Sequence, residues 1–266
     1  MVKFGAMNHP GKPLEEEIEW IGNNNFDFLD FTIEPFKAYF EDIEEMGGYG
    51  DIKRLLYRYG LDVVGHTAFY LPFVSPIKAL RDTAVLEAAK AATIFGQLKA
   101  KYMTVHLNPP AVRAFGKGTE TFDWMVESMK KLTEMASMNN VTVLIENSPD
   151  TYWTPEKIKE LLYKVPDLKL HIDVAHLFVG NDNGLELLQE LLEGSSDDLR
   201  HLHMHDNDGK DDQHLPIGAG KIDWEGVVRA LKDIGYTDTI TVELHSFDKD
   251  YFILSRDKLK KMWMQL

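Results

Sequence analysis

Eight short β-branched or apolar runs punctuate this chain, each separated from the next by a stretch of helical pattern. The runs are Val2 to Ala6, Phe26 to Ile33, Leu61 to His66, Tyr102 to His106, Val141 to Glu146, Leu168 to Asp173, Leu199 to His205 and Thr239 to Glu243. Parallel strands need long crossovers, which helices supply, and no antiparallel hairpin signal intervenes. Strand and helix repeated eight times predict a closed α/β fold, a single (β/α)8 barrel, rather than an open doubly wound sheet. The chain has 266 residues, close to the ~250 typical of one such barrel, so one domain spanning 1–266 is expected. No glycine-rich dinucleotide fingerprint or phosphate loop opens any helix.

Local signals agree with that alternation. Glutamates fill the first turns of a helix beginning over Pro13 to Trp20, where the helix dipole favours them. Ser75-Pro76 reads as the N-cap and first-turn proline of a long alanine-rich helix reaching about Leu98. Between Thr121 and Met138, the residues Trp124, Met125, Met129, Leu132 and Met135 fall near helical spacing and predict a buried stripe rather than a ligand surface.

The chemistry is concentrated where the runs end. His66, His106, Glu146, Asp173, His203 and Glu243 each close a run as its last inward-pointing residue, so six strands deliver ionisable groups to one end of the sheet. Barrels of this kind place their sites there. Any one of these residues alone has a bland reading, a satisfied core histidine or a helix-capping glutamate. Six together in one mouth would be costly to bury without a cation, and a divalent-metal site follows. The chain has no cysteine, so such a metal must use nitrogen and oxygen ligands.

Residues two apart in a strand share a face, so His201, His203 and His205 point inward together. His203 lies at ligand depth. His201, and His171 below Asp173, read as hydrogen-bonded interior residues, while His205 and His245 stand at the rim and are candidates to orient a substrate. His176 follows Asp173 in the next turn, and the long polar loop from His203 to Trp224 carries Asp212 and His214.

A net charge of -14 disfavours nonspecific nucleic-acid binding. No leader pattern precedes the first strand and no long apolar segment occurs, so a cytoplasmic protein without membrane partners is expected.

Ile145-Glu-Asn147, Ile172-Asp-Val-Ala-His176, His203 to Gly220 and Val242-Glu243 together resemble the xylose-isomerase-like TIM barrels, a superfamily of sugar isomerases and epimerases that also includes endonuclease IV. The resemblance covers essentially the whole chain. It implies one metal held by Glu146, Asp173, His203 and Glu243, with the two glutamates moving protons, as in the epimerases. The nuclease pattern adds His66, His106, His176, Asp212 and His214, so one to three ions of zinc, manganese, cobalt or iron are expected.

The leading expectation is a metal-dependent isomerase or epimerase of a sugar or polyol working through an enediolate. Glu146 and Glu243, on strands facing each other across the barrel, would be base and acid. His176 would steady the oxyanion or bind a second metal. Glu34, Phe69, Tyr70, Trp153, His205 and Trp224 would contact substrate. The acidic segment Glu41 to Glu45 stands where the nuclease has a basic loop. An endonuclease IV-like phosphodiester hydrolase acting on abasic DNA is the alternative, and a catalytically silent metal-binding barrel is a third. A homo-oligomer is compatible with all three.

Overall fold

The structure, a computed structural model, describes residues 2–109 and 119–266. Eight parallel strands close on themselves in sequence order. In chain order the elements are β1 (Lys3–Met7), α1 (Leu14–Asn23), β2 (Phe28–Ile33), α2 (Phe40–Glu45), α3 (Tyr49–Tyr59), β3 (Asp62–Thr67), α4 (Lys78–Gln97), β4 (Tyr102–His106), α5 (Thr119–Ser137), β5 (Thr142–Glu146), α6 (Pro155–Lys164), β6 (Lys169–Asp173), α7 (Gly184–Leu192), β7 (Leu199–Met204), α8 (Trp224–Asp233), β8 (Thr239–Val242) and α9 (Asp250–Gln265). A 3-10 turn, Ala175–Phe178, precedes α7. Among the described residues no helix is long and apolar enough to cross a membrane.

The apolar core lies in the shell between barrel and helices. Phe31 of β2 meets Phe95 of α4 edge-on at 5.8 Å between centroids. Gly65 of β3 admits that ring, since a Cβ there would lie 2.5 Å from Phe95. Met125, Met129 and Leu132 of α5 are fully buried, as their spacing predicts. Trp124 is half-buried, with the Arg81 guanidinium 5.1 Å from its ring centroid.

Inside the barrel the side chains are largely polar. Asp30, Thr104, His171, His201 and Thr241 are all fully buried there, where branched apolar residues are the rule. Phe28 closes the floor and meets the His201 ring edge-on at 5.9 Å. Opposite it in the register stands Gly5, where a Cβ would fall 2.3 Å from the Phe28 ring.

Several local expectations differ from the structure. α4 starts at Lys78 with Ile77 at its N-cap, because the Ser75 hydroxyl closes a turn by accepting from the Ile77 amide at 3.2 Å. The helix therefore begins two residues beyond Pro76 rather than with it. β5 and β8 are separated by β6 and β7, so Glu146 and Glu243 are three strands apart and not diametrically opposed. β7 and β8 end at Met204 and Val242, leaving His205 and Glu243 just beyond the sheet.

The Gly5–Phe28 contact makes a prediction about the floor. Gly5→Val is expected to lower stability by about 1–3 kcal/mol through overpacking, measured by reversible denaturant unfolding. A Phe28→Leu change in the same chain should recover part of the loss; equal stability of Gly5→Val and the parent would contradict the packing described.

Candidate metal centre

The strand ends bring their ionisable groups into contact. His66 Nε2 and His106 Nδ1 lie 3.4 and 3.5 Å from the same oxygen of Glu146, Oε2. His203 Nδ1 lies 2.8 Å from Glu243 Oε2 and 3.9 Å from Glu146 Oε1. His205 Nε2 is 3.1 Å from Asp173 Oδ2, and His176 Nε2 is 3.1 Å from Asp212 Oδ2 and 3.7 Å from Asp173 Oδ2. His214 Nε2 is 3.2 Å from Asp212 Oδ2.

Donor atoms in each of five overlapping sets lie within 4.8 Å of one another: His66, His106 and Glu146; Glu146, Asp173 and His203; Asp173, His176 and His205; His205, Asp212 and His214; and, deeper in the barrel, His171, His201 and His203. Glu146, Asp173, His203 and His205 each belong to two sets. Such spacing suits ligands about 2.0–2.2 Å from a shared cation.

The polarity of the facing atoms tests that fit. His176 Nδ1 is 2.8 Å from the Asn147 carbonyl oxygen, a contact that requires Nδ1 to carry hydrogen. Its Nε2, facing Asp212 and Asp173, is then a lone pair when the ring is neutral. His66 Nδ1, His106 Nε2, His205 Nδ1 and His214 Nδ1 are buried without a hydrogen-bond partner. A lone pair aimed at carboxylate oxygens, as at His176 Nε2, repels them unless a proton or a metal ion stands between. A nitrogen and oxygen donor set of this kind fits a divalent cation.

The same crowding displaces the titrations. Burial opposes charge on His176, but Asp173, Asp212 and Glu146 outweigh it and push its pKa up to about 10. For His214, Glu243 and Asp212 likewise overcome burial and push the value up to about 9. His106 goes the other way, because burial dominates and lowers it to about 4. Burial alone would raise Glu146, Asp173 and Glu243; the surrounding histidines instead hold all three below the usual carboxylate range.

The loop after β7 is organised by Asp206. Its buried carboxylate accepts from the Asn207 and Gly218 amides at 2.9 and 2.8 Å and from the Trp224 indole at 3.0 Å. Asp206 and Leu215 exchange two backbone hydrogen bonds at 2.8 Å, which swings Asp212 and His214 back over the mouth. Gly220 is required because a Cβ there would lie 2.2 Å from the Asn207 carbonyl oxygen. His214 itself takes a left-handed backbone, φ 48°.

A cavity of about 570 Å³ opens above these groups, walled by Glu34, His66, Phe69, His106, Glu146, His176, Asp212, His214, Glu243 and His245 among others. The described lining includes no lysine or arginine.

Four residues expected to contact substrate lie elsewhere. Trp153 is buried, its indole donating to the Asn108 carbonyl at 2.7 Å. Trp224 is buried under the loop as a donor to Asp206. Tyr70 lines a small side cavity with Ile33, Tyr39 and Ala88. His205 is fully buried against Asp173, among the metal-type donors rather than at the rim. His245 does line the mouth and stacks on His214 at 4.0 Å.

Sequence reading passed over Asp30. This carboxylate accepts from Thr241 Oγ1 at 2.7 Å and contacts His203 Nε2 and His201 Nε2 at 2.8 and 3.1 Å. A lone carboxylate at an inward position between Phe28 and Thr32 was the available signal, since buried charge needs partners.

The raised histidines yield a prediction with a definite sign. A metal ligates neutral imidazole. Because their values lie above 7 in the metal-free protein, His176 and His214 hold protons at pH 7, and loading must expel them. Zinc titrations in buffers of different ionisation enthalpy should show release of more than one proton per chain at pH 7, with the share from His214 and His176 lost as pH rises through 9 to 10. Binding with no proton release would contradict the assignment.

The model of the xylose isomerase-like TIM barrel family matches residues 18–262. A Methanocaldococcus jannaschii protein of uncharacterised role is 30% identical over 47% of this chain and 48% of its own, so the aligned part spans about half of that relative. Fructoselysine 3-epimerase of Escherichia coli O157:H7 is 23% identical over 89% of this chain and 87% of its own. The crystal structure of a D-tagatose 3-epimerase-like protein superposes with a TM-score of 0.86 at 25% identity, covering 99% of this chain and 97% of the other. Fold, strand-end donors and sequence thus converge: the chain belongs to the xylose isomerase-like TIM barrel family.

Proposed function

We propose that the barrel mouth epimerises or isomerises a sugar, polyol or close derivative by moving a proton on and off carbon. The observation that carries this reading is the placement of Glu146 and Glu243 on one cavity with His203 Nδ1 within 3.9 and 2.8 Å of their carboxylates. The two relatives named as 3-epimerases lend the reaction type, with C3 of a ketose or ketose adduct as the centre.

Glu146, Asp173, His203 and Glu243 would hold one divalent ion, and His66, His106, His176, Asp212 and His214 would hold up to two more; zinc, manganese, cobalt and iron all suit these ligands. A cation there supplies Lewis-acid polarisation of the substrate carbonyl, which acidifies the neighbouring C–H.

The remaining chemistry belongs to the chain. One glutamate takes the C–H proton as base, and the other returns to the opposite face a proton that it receives from a neighbouring imidazole; His214 Nδ1 lies 3.7 Å from Glu243 Oε2. His176, its ring fixed by the Asn147 carbonyl, has one free nitrogen, Nε2, which would either stabilise the oxyanion of the enediolate or hold a second ion. Phe69 and His245 wall the mouth and present flat faces to sugar C–H groups, while the Glu34 carboxylate accepts from hydroxyls. The carboxylates of Glu34, Glu146, Asp212 and Glu243 on the cavity wall favour a neutral or cationic substrate over a phosphorylated one.

Incubation with D-tagatose, D-psicose or fructoselysine in D2O should place deuterium at C3 of at least one of them. Glu243→Gln should cut that exchange by about 10²-fold or more; full exchange in the variant would overturn the assignment.

The Asp212–His214 pair with His176 favours one second reading, hydrolysis of a phosphodiester at an abasic site. Metal-dependent nicking of duplex DNA carrying one abasic site, abolished by Glu146→Gln, would replace the sugar reading. Absence of both activities in metal-loaded protein would leave a silent metal-binding barrel.

A further inference from the structure

We infer that Glu34 is a specificity-determining residue that binds an ammonium group, so that the substrate preferred at this mouth is a ketose or polyol carrying a protonated amine. This rests on the reading of the cavity as a sugar site and names the kind of sugar.

Glu34 stands apart from the other carboxylates of the cavity wall. Glu146 has His66 and His106 at 3.4 and 3.5 Å, Asp212 has His176 and His214 at 3.1 and 3.2 Å, and Glu243 has His203 at 2.8 Å. Among the described residues Glu34 makes no ion pair and belongs to none of the donor sets. Its one hydrogen bond among them comes from Thr32 Oγ1 to Oε1 at 2.8 Å, which leaves Oε2 open to the cavity. Imidazoles, or an ion held among them, offset the other three carboxylates. An occupant that displaces water from Glu34 has to supply the compensation itself.

The carboxylate is held in place from below. Thr32 is fully buried, and the Asn8 side chain grips its main chain twice: Oδ1 accepts from the Thr32 amide at 2.9 Å, and Nδ2 donates to the Thr32 carbonyl at 3.3 Å. In the closed sheet β2 stands opposite β6, so Glu34 lies across the mouth from Asp173. A molecule seated on Glu146, Asp173 and His203 presents its remote end to Glu34.

Hydroxyls and ammonium groups both donate to carboxylates, and two features of the wall favour the ammonium. A neutral hydroxyl leaves a desolvated carboxylate with its charge unbalanced, whereas an ammonium brings donors and the opposite charge together. Phe69 follows β3, the strand paired with β2, and lines the same cavity with 62% of its surface exposed. An aromatic ring on the wall adds a quadrupole attraction for a cation.

The test uses full-length protein loaded with manganese and calorimetric titration with 1-amino-1-deoxy-D-fructose and 1-acetamido-1-deoxy-D-fructose. The acetamide keeps the bulk of the amine and removes its charge. In the parent the amine should bind about 10- to 100-fold more tightly, an advantage that shrinks as salt is raised. In Glu34→Gln that advantage should fall by about tenfold or more, while manganese content stays at the parent level because Glu34 is in no donor set. Glu34→Asp, which keeps the charge, should retain part of the preference.

Equal affinity of the parent for amine and acetamide would overturn the inference. So would a full preference in Glu34→Gln, which would put the ammonium on Glu146, Asp212 or Glu243, and so would loss of manganese from that variant. Binding is read without turnover. A parent that prefers the amine yet moves no sugar proton counts against the proposed reaction and leaves Glu34 assigned; deuterium exchange into a ketose with no preference for the amine does the reverse.

Discussion

Desolvation of charge at the strand ends is the constraint on which the rest of this molecule depends. Glu146, Asp173, His66, His203, His205 and His214 are all buried at a place where water would otherwise satisfy them, and an unpaired buried carboxylate is strongly unfavourable. The barrel resolves this by alternation: each carboxylate meets imidazoles from neighbouring strands, and each imidazole meets carboxylates. Such a lattice is stable only while a proton or a cation occupies the gaps. Metal loading and protonation are then two ways of filling the same gaps.

The polar interior is affordable because the hydrophobic work is done elsewhere. Phe31, Phe95, Met103, Val105, Met125 and Ile145 lie outside the sheet, in the shell shared with the helices, and apolar burial there is the main stabilising contribution. Relieved of that duty, the inside of the barrel carries Asp30, Thr104, His171, His201 and Thr241. The two sides of each strand thus have different roles: outward residues hold the fold, and inward residues hold the ligands and their supports. Asp206 extends the same principle to a loop, where one buried carboxylate gathers backbone amides and an indole.

Much of this was legible in the sequence. A period of two along Leu199–Met204 places His201 and His203 on one face, and the abrupt end of each apolar run marks the ligand level. What was not legible depended on contacts remote in sequence. Nothing near Asp30 reveals that His203, 173 residues away, will be its partner. Trp153 and Trp224 looked like pocket walls because an aromatic beside a ligand strand has the right composition; only the fold shows their indoles claimed by Asn108 and Asp206. His205 follows the same period as His203, yet the chain leaves the sheet at Met204, so its depth could not be read by counting.

The floor at Phe28 has a consequence for traffic through the molecule. With Gly5 pressed against that ring and His201 resting on it, the barrel is a vessel sealed at one end. The groups at the strand ends are therefore reached from the mouth, so whatever enters the cavity and whatever leaves it share that opening.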